Sequence, residues 1–167
     1  ICGVLHAAGI LDDKSLLDMD WSSFELVMAS KVEGARILHE LTKGTEMDTF
    51  VLFSSGSSVF GNVGQANYAA ANAYLDSLAH HRRIQGMPGL SINWGPWAEV
   101  GMAATLDAAT FEKTGLGLIK PKHGITILQQ CMVQQSSPQV VISLVSWSKF
   151  LGRMGKNVPA LFSAIAA

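Results

Sequence analysis

Four short apolar runs punctuate the chain: ICGVLHAA from Ile1, TFVLFSS from Thr49, LSINW from Leu90 and QVVISLV from Gln139. Each is β-branched or aromatic enough, and short enough, to read as a buried strand. Helical spacing separates them. Ser22 and Glu25 have capping-box spacing, and after them Phe24, Val27, Met28, Ala35 and Leu38 share one stripe at about 100° per residue until Gly44 offers a stop. A second helix is predicted from about Asn67 to the Gly86 and Pro88 punctuation, and a third from Pro121, which suits a first helical turn, to about Gln135. Strands alternating with helices predict an α/β fold, a parallel sheet with helices on both faces.

From Trp97 to Lys120 the periodicity loosens into an excursion, in which Thr105 is placed to cap a short helix ending near Gly115. In open α/β sheets ligands bind beyond the carboxyl ends of the strands, so residues 97–120 read either as a lid over such a site or as an ordinary surface loop. The chain also opens on a strand-like run at Ile1 without a Met. Upstream elements are therefore expected, and residues 1–167 are read as the carboxy-terminal part of one domain.

Composition excludes several classes. With 49% apolar residues the chain has material for a core, and 13 acidic residues nearly balance 12 Lys plus Arg without a basic run that could track a phosphate backbone. Nucleic acid is not an expected partner. No apolar run reaches the roughly 18 residues of a membrane-spanning helix, and no signal peptide opens the chain, so a soluble, cytoplasmic protein is expected. Cys2 and Cys131 lack metal-ligand or disulfide-framework spacing and read as buried small apolar residues. No metal site is expected.

Lys31 is out of place in the middle of the apolar stripe. Burying an ammonium costs several kcal/mol unless something pairs with it, so the side chain either snorkels to water or faces a polar cleft. Tyr68 and Asn72, four residues apart, share a face of the second helix among small Ala neighbours. That tyrosine either packs or reacts. Ahead of it FSSGSSVFGNVGQ offers hydroxyls and glycines at the end of a strand, where loops position ligand contacts. His39, His80 and His81 sit among surface-type residues and suggest no chemistry, and Glu99 and Asp107 read as solvated.

Together these residues resemble the short-chain dehydrogenase/reductase superfamily, in particular the ketoreductase domains of modular polyketide synthases. The resemblance runs from GVLHAAGILDD almost to the chain end, through FSS at 53–55, GQANYAAANAYLD at 64–76 and SINWGPW at 91–97. Ser55 precedes Tyr68 by thirteen positions, as the family's serine precedes its tyrosine. Free-standing members carry Lys four residues after that tyrosine; here Asn72 stands there and the lysine is Lys31. Synthase-type ketoreductases make this exchange, and the resemblance puts Lys31 in the active site. The implied fold is a Rossmann-like doubly wound parallel sheet, partial and lacking its first strands, with a helical lid at about 97–120.

The implied activity is hydride transfer from NADPH to the β-carbonyl of an acyl chain held as a thioester on an acyl carrier protein, alongside other synthase domains in the same polypeptide. Tyr68 would donate the proton, Ser55 would hold the substrate oxygen, Lys31 would favour the phenolate and contact the cofactor, and Asn72 would order a proton relay. Ala8, Gly9, Pro96 and Trp97 are further expected cofactor contacts. Leu11, Asp12 and Asp13 form the LDD motif of B-type reduction, which gives the D-hydroxyl; their bare reading is a solvated turn. The A-type tryptophan is replaced by Phe60 and Asn67 fits the B pattern, while the B-type proline is Val63. No G-x-G-x-x-G occurs, so the NADPH expectation comes from the resemblance, and the chain alone is expected to be inactive. Two rivals stand beside this reading: a non-catalytic structural ketoreductase half-domain, and a fatty acid synthase ketoreductase.

Overall fold

A computed structural model describes residues 1–102, 111, 113–134, 136–155 and 157–166. In chain order its elements are β1 (Gly3–His6), α1 (Trp21–Met28), a π-helical turn (Ala29–Glu33), α2 (Gly34–Thr42), β2 (Thr49–Ser55), α3 (Ser57–Phe60), α4 (Ala66–Ile84), β3 (Leu90–Trp94), β4 (Leu116–Gly117), α5 (Pro121–Gln134), β5 (Gln139–Ile142), β6 (Leu144–Val145), α6 (Trp147–Gly152), a 3-10 turn (Ala160–Phe162) and α7 (Ser163–Ala166). They fall into two compact units, residues Ile1–Trp94 with Leu128–Ile142, and residues Gly95–Ile127 with Ser143–Ala167.

The first unit is a parallel four-stranded sheet in the order β1, β2, β3, β5, flanked by helices. Parallel neighbours need crossovers long enough to hold a helix, which the sequence supplies between β1 and β2 and between β2 and β3. All five residues of β3 are buried, as an inner parallel strand requires. Phe50 and Leu52 pack with Ala35, Leu75, Leu78 and Ala79 into one core cluster. Leu75 is fully buried, and truncating such a leucine to alanine costs about 2–5 kcal/mol. The turn from α4 to β3 is tight because Gly89 has no side chain: a Cβ there would stand 2.7 Å from the Ala79 carbonyl oxygen.

The second unit is built around Trp147, Phe150 and Phe162, whose ring centroids lie 5.7–6.2 Å apart. Antiparallel β4 and β6 form a short ribbon in it, and Trp97 bridges to Ile119. Within α5, Gly124 leaves room for the Trp97 indole, which any Cβ would overlap.

Several expectations are refined. The first predicted helix begins at Trp21, and its cap is Asp20, which accepts from Ser23 N at 2.8 Å; Glu25 instead accepts from Trp21 Nε1 at 2.8 Å, so the Ser22/Glu25 capping box does not form. A carboxylate one turn earlier reaches the orphan N–H groups first. QVVISLV is two strands, β5 in the parallel sheet and β6 in the ribbon. Cys2 is exposed and Cys131, on α5, half-buried, against the burial expected of both, because composition does not say which positions of an element face the interior. Most of the excursion expected at 97–120 belongs with the second unit; the start of its helix at Thr105, and Asp107, lie outside the described residues. The end is visible, with Phe111, Lys113 and Thr114 helical and Gly115 at φ 79°.

Candidate active site

The carboxyl ends of β1, β2 and β3 converge at His6, Ser55 and Trp94, where parallel sheets present their ligand sites. One lysine reaches this edge from the helical layer. The predicted stripe is not a continuous α-helix: between α1 and α2 the backbone widens into a π-helical turn in which Gly34 N bonds to the Ala29 carbonyl, five residues back. Such turns are rare and concentrate at functional sites. Lys31 lies within it and is 2% exposed, so it does not snorkel. Its ammonium donates to the Phe53 carbonyl at 2.9 Å and lies 5.4 Å from the centroid of the Tyr68 ring.

Tyr68 sits in the first turn of α4, and Asn67 fixes it there. The Asn67 amide donates to the carbonyls of Asp12 (2.9 Å) and Ser23 (3.1 Å), while its oxygen accepts from Tyr68 N at 2.7 Å. One buried side chain thus ties the segment after β1, the start of α1 and the start of α4 together. Asn72, one turn on, donates to the Tyr68 carbonyl at 2.7 Å, and its buried Oδ1 has no partner among the described residues. An orphaned acceptor of this kind costs about 1–3 kcal/mol, which a bound water or ligand group would recover. The half-buried Ser55 ends β2, and its oxygen accepts from Ser57 N at 3.2 Å.

Burial governs the electrostatics. It lowers Lys31 to about 8, against the pull of the Asp76 carboxylate, which favours the charged form. It also raises Tyr68 above its ordinary value, opposed by the hydrogen bonds from Asn72 and Ser55 and reinforced by the negative charge of Asp13. The loss of water outweighs these partners, so the phenol is held protonated through the neutral range. His6, in the neighbouring strand, is lowered by burial and by the Lys31 charge, and the carbonyls of Lys31 and Ser30 act the other way.

Lys31, Ser55, Tyr68 and Asn72 thus stand at one edge of one sheet, four side chains from three separate segments. A family model for the KR domain matches residues 1–99. The chain belongs to the KR domain family. It is 43% identical over 152 residues to polyketide synthase GfsB of Streptomyces halstedii, covering 90% of this chain and 3% of that protein. It is 39% identical over 137 residues to the mycoketide-CoA synthase of Mycobacterium tuberculosis, covering 80% of this chain and 3% of that one. Among solved structures, an A-type ketoreductase from a modular polyketide synthase superposes with a TM-score of 0.91 at 40% identity, over 98% of this chain and 35% of that one. The chain is a piece of a polyketide-synthase-type KR domain with the Rossmann-like fold of its family, and it spans about a third of the solved ketoreductase chain.

The remaining predicted residues of this KR piece distribute unevenly. Asp12 and Asp13 are tied to the start of α4, Asp12 through its carbonyl to Asn67 and Asp13 through its carboxylate to Gln65 Nε2 at 2.9 Å. Leu11 is exposed beside them. Phe60 closes α3 with its ring against Gly56. Ala8 and Gly9 follow β1, exposed and half-buried respectively. Pro96 and Trp97 belong to the second unit.

Sequence reasoning missed a buried polar layer beneath these residues, Ser54, Asp76, Ser91 and Asn93 with the half-buried Ser58, and it passed over His6. The signal was present: Asp76 is four residues after Asn72 and eight after Tyr68, a lone acid on the same helical face, and Ser91 and Asn93 interrupt an apolar strand. Among the described residues no cluster of His, Cys, Asp or Glu could hold a metal, and no helix is long and apolar enough to cross a membrane.

Proposed function

We propose that this chain supplies the catalytic half of a reductase that converts the β-keto group of an acyl thioester on an acyl carrier protein to a β-hydroxyl, with NADPH as the reductant. The single observation that carries the reading is the buried Lys31 ammonium 5.4 Å from the Tyr68 ring centroid, a cation placed without a carboxylate contact beside a proton donor. A scaffold gains nothing from such a pair, which is the argument against a purely structural half-domain.

The residues present fit the cofactor's reactive end. Lys31 has three N–H donors and one hydrogen-bonding partner among the described residues, the Phe53 carbonyl, so donors remain for sugar hydroxyls. Tyr68 and Lys31 would hold that end, with Ala8 and Gly9 as further contacts. NADPH, when bound, supplies the hydride.

The chain's own side chains manage the proton. Ser55 orients the substrate oxygen and donates a hydrogen bond as negative charge develops on it. Tyr68, held protonated by its burial, gives up its phenolic proton to that oxygen. Lys31 stabilises the phenolate left behind, and Asn72 Oδ1 accepts from a water that returns the proton. The protein works in the cytoplasm beside other domains of its synthase, and the isolated chain does not turn over.

For the product hand we propose the B-type course and a D-hydroxyl, supported by Leu11, Asp12 and Asp13 tied to the turn that carries Tyr68. One observation favours the opposite hand: the solved A-type ketoreductase is 40% identical over 98% of this chain. Chiral analysis of the hydroxyacyl product decides between them, the D form supporting the LDD reading and the L form overturning it.

The test of the activity itself is Tyr68→Phe in an intact domain containing this sequence. Reduction of a β-ketoacyl thioester by NADPH should fall by about 10²–10⁴-fold with the fold retained. Unchanged turnover, or an intact domain with none, overturns the proposal.

A further inference from the structure

A buried carboxylate outside the four proposed catalytic side chains ties together more of this edge than any of them. Asp76, on α4, is 7% exposed. Its Oδ1 accepts from Ser91 Oγ at 2.6 Å and its Oδ2 from Ser58 Oγ at 2.7 Å, while the Asn93 amide lies 2.9 and 2.8 Å from the two oxygens. These donors come from two elements, α3 and β3. The same Asn93 amide lies 3.0 Å from Ser54 Oγ and 3.3 Å from the Ser55 carbonyl, and Gln139 Nε2 donates to its oxygen at 3.0 Å. Ser58 also lies 2.9 Å from the Ser55 carbonyl.

The network therefore grips the backbone on which Ser55 stands. Desolvating a carboxylate this far is unfavourable unless its oxygens are fully engaged and a positive charge lies in reach, and a network so engaged rigidifies what it holds. Lys31, buried against the Phe53 carbonyl two residues before Ser55, is a cation on which the Asp76 charge acts favourably.

We propose that Asp76 is a positioning residue of this site: its carboxylate locks the Ser55 turn to β3 and provides the counter-charge that keeps the buried Lys31 an ammonium. The proposal rests on the reductase reading above. Its electrostatic half agrees with the direction in which Asp76 acts on Lys31, opposing the lowering caused by burial. The groups that act on Lys31 are His6 from β1, whose protonation would repel it, and Tyr68 and Asp76 from α4. Of these Asp76 is the anion. Removing its charge lowers Lys31 further, so the charged lysine is lost at a lower pH, and the alkaline limb of the rate profile moves down.

The experiment uses the intact domain, NADPH and a short β-ketoacyl thioester, with Tyr68→Phe as the control for the reading itself. If the wild-type domain does not reduce the thioester, or Tyr68→Phe reduces it as well, the reductase reading fails. If that control behaves, Asp76→Asn should lower kcat about tenfold with KM within about twofold, and shift the alkaline limb downward by about half a pH unit or more. Asp76→Glu, which restores the charge, should return the limb towards its wild-type position. Wild-type kcat with an unmoved limb in Asp76→Asn overturns the proposal. Should that variant not fold, Ser91→Ala replaces it, removing the shortest hydrogen bond to the carboxylate while keeping the charge: kcat should fall several-fold, and a wild-type kcat overturns the clamp.

Discussion

Two cations are buried against the same sheet, and they are treated in opposite ways. Arg82, near the end of α4, is 1% exposed: it donates to the Pro88 carbonyl (2.7 Å) and Thr42 Oγ1 (3.3 Å), meets His39 Nδ1 at 3.0 Å, and lies 3.7 Å over the Phe50 ring. Lys31 is 2% exposed and has one carbonyl and the ring of a tyrosine. Burial is equal and satisfaction is not. The guanidinium spends its planar fork on fixed partners and joins α2, α4 and the turn into β3, whereas the ammonium keeps donors in hand at the edge where the strands end. A fully engaged buried cation reads as structure; one held short of partners reads as a group waiting for a ligand.

The comparison breaks first at Arg82. Arg82→Ala in the intact domain should cost about 3–5 kcal/mol in denaturant unfolding, since it takes a donor from the Pro88 carbonyl and a partner from His39 and opens a void beside Phe50. The surviving folded fraction should keep its kcat. An unfolding free energy close to wild type would make Arg82 dispensable and dissolve the contrast. Lys31→Met should shift the balance, lowering the rate about a hundredfold, or about 2.7 kcal/mol, while costing less stability than Arg82→Ala, because an apolar chain of similar length fills the space although Asp76 loses its cation. Loss of folding without a rate effect in the soluble fraction would reassign Lys31 to structure.

The pH dependence sharpens the same contrast. With Lys31 lowered to about 8 by burial, the charged form that the mechanism uses is lost as pH rises through about 8, and the rate should decline there. A flat stopped-flow profile from pH 7 to 10 would remove the charge from the mechanism. His39 supplies the smallest effect. Burial and the neighbouring Arg82 hold its imidazole below the ordinary value, so the unfolded chain takes up the proton first as pH falls. Stability should be full above about 6.5 and decline below it, and His39→Gln should flatten that decline in a thermal-unfolding series. A slope unaffected by the substitution would place the acid sensitivity elsewhere.

His39 also shows where reading the sequence stops. It was placed among surface-type residues, and its neighbours Glu40 and Leu41 are indeed exposed, yet His39 is buried. Its partner Arg82 is forty-three positions away, and nothing in helical spacing says that these two turns meet. Lys31 was legible as an anomaly because one apolar stripe sufficed to expose it. The π-helical turn was not, because widening by one residue leaves that stripe nearly intact. Asp76 was not either: its three donors lie on α3 and β3, elements whose proximity to α4 follows from the sheet order.

The sequence by itself determined the alternation of strands and helices, the strand bounds at Thr49–Ser55 and Leu90–Trp94, and, through spacing and resemblance, the four side chains proposed for the chemistry. These are properties of neighbours along the chain, carried by periods of two and 3.6 residues. Only the tertiary structure decided which buried charge is satisfied and which is left open. Hydrogen-bond partners are chosen by which segments the parallel crossovers bring together, and a cation's free energy depends on those partners rather than on its place in the pattern.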